Sequence, residues 1–273
     1  MATVRSIWFG MGLWAAAALT PVVSSSWSNS ERSADAPRTP IVVELFTSEG
    51  CSSCPPADAF LSRLESLQPV PDAEIIAIEE HVDYWDHLGW RDPFSSADWT
   101  ERQHKYAGVL GNGNIYTPQM IVNGSVEFVG SREQSGKGAI DQAARRKTIP
   151  LTVTAVATPG KRSAEITVQV AQPAVDQSTG ESDVWLAITE TGLQSAVTRG
   201  ENAGKDLRHA SVLRKLQKLG PATPKNGPPA AVTLTAKVAL DSSWRRENLH
   251  AVAFLQERRH LHILGASQIP LNF

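Results

Sequence analysis

Two cysteines occur in the 273 residues, and they stand together as Cys51-Ser52-Ser53-Cys54. Two intervening residues let the second thiol reach back to the first, so the pair can cycle between dithiol and disulfide. The reactive form of cysteine is the thiolate, whose free pKa is about 8.5. A helix N-terminus favours that form through its unpaired N–H groups and the positive end of its dipole. Pro55-Pro56 follows the pair, and proline suits a first helical turn, where no N–H partner is lost. Cys51 is therefore the candidate nucleophile and Cys54 the resolving thiol. Two plainer readings stand beside this one. A structural staple closing so short a loop gains only about 2 kcal/mol in the chain-entropy model, so stability explains the pair badly. Half of a zinc site would need a second cysteine pair, which the chain lacks.

The elements that must position the pair can be read on both sides of it. Ile41 to Phe46 is a short buried-strand run, and Phe60, Leu61, Leu64 and Leu67 recur at helical spacing after the prolines. Ile75-Ile76-Ala77-Ile78 is a second buried strand, parallel to the first if the helix between them is a crossover. The segment from His81 to Trp90 is polar and aromatic and lies just past the carboxyl end of that strand, where open α/β sheets place ligand sites. Ser95 or Ser96 can cap a helix reaching about Ala107. Thr117-Pro118 opens a third strand, and Asn123-Gly124 between apolar runs reads as a hairpin turn. Ser131 with Gln134 fits the capping box of a further helix.

From about Thr148 the period changes. Leu151 to Val156 alternates, as do Ile166, Val168 and Val170, and then Val232, Leu234 and Ala236. Val184 to Ile188 and Val252 to Leu255 are further strands, and 172–182 and 220–230 are Pro/Gly/Ser-rich connections. This half reads as an antiparallel, sandwich-like module. Gly200-Glu201-Asn202-Ala203-Gly204, followed by His209 and Arg214, is a polar constellation that can contact the first half or a ligand, or serve only as a turn and a solvated face.

The N-terminus reads as an export signal over residues 1–26, with Arg5 as the positive n-region and an apolar stretch from Ile7 to Val23. Left uncleaved, the same stretch approaches the length of a membrane anchor. Residues 27–40 read as a linker. Removing the leader takes Arg5 with it and moves the formal net charge from −2 to −3. No basic face results, so nucleic acid is not an expected partner. Export to the periplasm or exterior sets an oxidising compartment, where disulfides persist.

The order strand, CxxC, helix, strand, helix, Thr-Pro strand, Asn-Gly hairpin and helix over about residues 41–146 resembles the thioredoxin-like superfamily. That resemblance implies a cis bond before Pro118, with Thr117 and Pro118 lying against the redox pair and holding an extended substrate. It also implies for Glu44 the role of a buried acid exchanging a proton with Cys54, although Glu44 stands seven positions before Cys51 where the superfamily places six. A carboxylate that merely stays wet is the plainer reading of Glu44. The chain is more specifically similar to the uncharacterised secreted family catalogued as domain of unknown function 1223. The residues that carry this are Val43 to Asp58, His81 to Asp86, Tyr116 to Met120, and Gly200-Glu201-Asn202.

The expectation is an α/β thioredoxin-like domain at 41–147 followed by a β-rich, sandwich-like C-terminal domain at 148–273. Its function would be exported thiol–disulfide exchange through Cys51 and Cys54, assisted by Thr117, Pro118 and Glu44. No cofactor is expected, and the partners are a protein or small-molecule thiol or disulfide and a redox partner protein. A membrane is a partner only if the leader stays uncleaved. The competing expectation is a non-enzymatic binding or copper-delivery module, since soft thiolates favour Cu(I) and His81 or His87 could add a ligand. A third is an assembly protein whose disulfide is inert.

Overall fold

The computed structural model describes residues 1–3, 37–111, 113–171, 181–222 and 231–271. The expected leader, most of the linker and most of both Pro/Gly/Ser-rich connections lie outside these residues. Thr39 and Pro40, assigned above to the linker, already pair with Ala73 and Glu74.

In chain order the first half comprises β1 (Thr39–Thr47), α1 (Pro55–Leu67), β2 (Ala73–His81), α2 (Ala97–Leu110), β3 (Gln119–Val122), β4 (Val126–Val129) and α3 (Glu133–Ala144). The second half comprises β5 (Leu151–Ala157), β6 (Ser163–Val170), β7 (Ser182–Glu190), β8 (Leu193–Ala196), β9 (Asp206–His209), β10 (Val212–Pro221), β11 (Val232–Ala239), β12 (Leu249–Glu257) and β13 (Ile263–Pro270). Local chemistry sets several of these bounds. Pro55 and Pro56 open α1, and Ser96 caps α2 by accepting from the Asp98 N–H at 3.2 Å. Gly124 in the β3–β4 turn has φ +62°, and a Cβ there would stand 2.0 Å from the Leu261 carbonyl oxygen, so glycine is required twice over. The capping box expected at Ser131 does not form; Arg132 precedes α3 without a side-chain cap.

The expected pair of domains is not what forms. Pro37–Phe273 is one compact unit. Its β-rich architecture rests on an eight-stranded mixed sheet in the order β13-β12-β7-β10-β2-β1-β3-β4. This is not an α/β thioredoxin fold with a second domain attached. The junction is parallel: Val212 of β10 pairs with Glu79 of β2, and the Glu79 N–H donates to the Ser211 carbonyl at 2.8 Å. The outer edge of β2, which a separate domain would leave unpaired, is thus used by the second half.

Packing explains why the sheet continues. One cluster joins Val42, Ile76, Ile78 and Trp99 of the first half to Leu213, Val252 and Phe254 of the second. On the opposite face Val184, Leu186, Ala251 and Leu255 pack against Ile166 and Val168 of a three-stranded sheet, β11-β6-β5. β7 and β12 are therefore covered on both faces, and their near-continuous apolar runs follow from that. A sandwich layer does exist, but it is built onto the large sheet rather than beside it. No helix among the described residues is long and apolar enough to cross a membrane.

Candidate functional site

Cys51 and Cys54 form a disulfide with Cα atoms 5.5 Å apart. Cys54 is the N-cap residue of α1, and its carbonyl accepts from the Ala57 and Asp58 N–H groups at 2.8 and 3.1 Å. The Cys51 N–H donates to the Ser48 carbonyl at 3.1 Å, which fixes the turn leaving β1. The sulfurs thus lie where β1 ends and the positive end of α1 begins.

Thr117–Pro118 is a cis bond, as the resemblance implied. The Pro118 carbonyl accepts from the Gly130 N–H at 2.9 Å. Gly130 stands so close to α1 that a Cβ there would lie 3.0 Å from Ala57 and 3.4 Å from Pro118. Thr117 Oγ1 accepts from Trp85 Nε1 at 2.9 Å, and Trp85 packs over Gly50, next to Cys51. Thr117, Pro118 and the pair are therefore brought into one locality, with Trp85 between Thr117 and Gly50.

Both cysteines are 0% exposed, while Ser52 and Ser53 are exposed. A second cover comes from the β8–β9 hairpin, whose tip is the Gly200–Gly204 turn. Asn202 Nδ2 donates to the Glu49 and Cys51 carbonyls at 2.8 and 2.9 Å, and the Ser52 N–H donates to Glu201 Oε2 at 3.1 Å. Gly200 packs against Trp90, where a Cβ would meet Trp90 Cβ at 3.1 Å. The polar constellation singled out in the sequence thus contacts the first half directly.

Beneath the disulfide lies a buried cluster of charge. His209, at the end of β9, sets Nδ1 against Glu79 Oε1 at 2.8 Å and Nε2 against Glu49 Oε1 at 3.0 Å. His81, at the end of β2, sets Nδ1 against Asp92 Oδ2 at 2.7 Å. Trp90 Nε1 donates to Glu49 Oε2 at 2.7 Å. Burial works against the charge of His209, but Glu79 and Glu49 outweigh it and raise its pKa to about 9. Burial likewise opposes the charge of Glu79, and His209 with His81 still hold its carboxyl at about 2. Asp58, one turn into α1, accepts from Thr47 Oγ1 at 2.6 Å, and burial with the charge of Glu79 pushes it up to about 7.

Glu44 is buried but is not brought to Cys54. It alternates onto the face of β1 opposite α1, where Arg102 Nε donates to it at 2.7 Å and the Tyr106 hydroxyl also donates to it. Its role there is an ion pair rather than the proton partner the resemblance implied. On the α1 face the buried carboxyls are Asp58 and Glu79. His87 is exposed, and His81 is turned into the buried cluster, so the copper set of both thiolates with either histidine is not assembled. Sequence reasoning missed Glu49, Asp58, Glu79 and Asp92 as members of the site. Glu79 and His81 stand two apart in one strand and hence share a face, which was the available signal.

A crystal structure of a protein from Agrobacterium tumefaciens is similar at 26% identity and a TM-score of 0.64, over 87% of this chain and 96% of that one. HBP35 of Porphyromonas gingivalis is similar in fold at 17% identity and a TM-score of 0.59, over 86% of this chain and 76% of that one. No curated protein matches the chain. The family model described as protein of unknown function (DUF1223) matches residues 42–256, and the chain belongs to that family.

Proposed function

We propose that the protein is an exported thiol–disulfide oxidoreductase acting through Cys51 and Cys54. The observation that carries this reading is the placement of the disulfide at the N-cap of α1, in the locality of Thr117 and Pro118. In the reduced protein the Cys51 thiolate attacks a substrate disulfide. A mixed disulfide forms, and the substrate's other sulfur leaves with the electron pair. Cys54 then attacks Cys51 Sγ, which releases the substrate as a dithiol and closes the Cys51–Cys54 bond. Two electrons pass to the substrate, and a redox partner protein restores the dithiol. The reverse sequence oxidises a substrate dithiol. The substrate is a protein or small-molecule thiol or disulfide in the periplasm or exterior, reached when Trp85 and the Gly200–Gly204 turn move aside.

The test is a Cys54→Ser variant, which keeps the attacking thiol and removes the resolving one. Alkylation of the exported fraction followed by non-reducing electrophoresis should show mixed disulfides through Cys51 that a Cys51→Ser/Cys54→Ser variant lacks. Absence of any adduct, with Cys51 inert toward the alkylating probe, contradicts the reading.

A further inference from the structure

We infer that Glu79, His81 and His209 form a buried binding site for one divalent transition-metal ion, zinc by its donor set. It lies behind the disulfide and clamps the β8–β9 hairpin to the end of β2. This goes beyond the redox reading and does not depend on it.

The three residues each offer one donor atom, and these atoms lie within 4.8 Å of one another. His81 Nε2 faces Glu79 Oε1 at 3.3 Å without making a hydrogen bond and is fully buried. His209 Nδ1 lies 2.8 Å from the same oxygen. Tetrahedral zinc with ligands at roughly 2.0–2.1 Å requires donor atoms about 3.3 Å apart. The His81–Glu79 edge already has that length, the His209–Glu79 edge needs to open by about half an ångström, and the donor atoms of the two histidines lie within 4.8 Å of each other. The two imidazole rings stand 4.6 Å apart at 78°, so their inner nitrogens can converge on one point without the rings stacking.

The outer nitrogens are braced as metal-binding histidines usually are. His81 Nδ1 is held by Asp92, which also accepts the Glu49 N–H, and His209 Nε2 is held by Glu49, which also accepts from Trp90. The far oxygen of Glu79 accepts from the Ala210 N–H at 2.7 Å, which orients the near oxygen toward the rings. A tetrahedral ion held by these three donors keeps a fourth position for a bound water molecule.

The experiment uses the tag-free full protein, stripped with a chelator and titrated with Zn²⁺ alone. The expected result is uptake of about one equivalent and a rise in melting temperature. His81→Gln and His209→Gln should abolish the uptake. His260 and His262 are a neighbouring pair outside this cluster, with ring centroids 5.9 Å apart, and a His260→Ala/His262→Ala variant should bind as the wild type does. Imidazole NMR resonances of His81 and His209 in the wild type should shift on addition of Zn²⁺, which keeps the test independent of whether the glutamine variants fold. Folded wild type that takes up no Zn²⁺ overturns the inference, as does uptake lost only in the His260/His262 variant or uptake that leaves the His81 and His209 resonances unmoved.

Discussion

Replacing Arg102 with methionine is expected to cost about 3–5 kcal/mol of stability, the range for removing one partner of a buried ion pair. Arg102 lies on α2 and is itself almost fully buried. Its guanidinium contacts Glu44 at 2.7 Å, Glu80 at 3.4 Å, the Tyr106 hydroxyl at 3.1 Å and Gln256 at 3.4 Å, and stacks over Phe254. Without it, Glu44 and Glu80 are two carboxyls at 0% exposure with no cation. Burial, together with Glu44, already pushes the Glu80 carboxyl well above its ordinary range, against the pull of Arg102. Because Gln256 and Phe254 belong to β12, the loss is felt by both halves at once. Urea unfolding followed by tryptophan fluorescence should therefore show one transition, displaced as a whole. Two separate transitions, or a loss below about 1 kcal/mol, contradict this account of the fold.

Asn202→Ala should make the disulfide at least about tenfold more quickly reducible by dithiothreitol and lower stability by about 1–3 kcal/mol. Its amide is the one group in the hairpin that ties to the backbone on both sides of Gly50. The Cys51 carbonyl keeps the Cys54 N–H as a donor, but the buried Glu49 carbonyl loses the side-chain donor that satisfies it. Lys205 also loses the Asn202 Oδ1 acceptor at 2.8 Å. The hairpin tip then has less reason to stay over residues that are otherwise inaccessible. Stopped-flow reduction read by alkylation and mass spectrometry gives the rate. An unchanged rate, with the stability loss present, would mean that the turn does not gate the sulfurs.

Local chemistry made much of the first half legible. Pro55-Pro56 placed the start of α1, Ser96 its cap on α2, and Asn123-Gly124 the hairpin between β3 and β4, because each of these is decided within a few residues. The join between β10 and β2 was not legible, since pairing Ser211 and Val212 with Glu79 depends on segments far apart in the chain. A signal was nonetheless present in Val184 to Ile188 and Val252 to Leu255. Continuous apolar runs mark strands buried on both faces, and a free-standing two-layer module has no need of them. The buried charges were the hardest to see. Glu44, Glu79 and Glu80 sit in strands among apolar residues, and only tertiary partners show whether such a carboxyl is wet or paired. For Glu44 the partner is Arg102, for Glu79 it is His209, and neither is near in sequence.

The central claim is that Cys51 and Cys54 exchange electrons rather than merely hold a turn closed. The most direct test is the equilibrium of that couple against glutathione or dithiothreitol buffers, with the dithiol fraction counted by alkylation and mass spectrometry. Thiol–disulfide exchange predicts a reversible two-electron titration at a midpoint between about −270 and −120 mV. A pair that stays oxidised to below about −300 mV behaves as a structural disulfide and contradicts the proposed function.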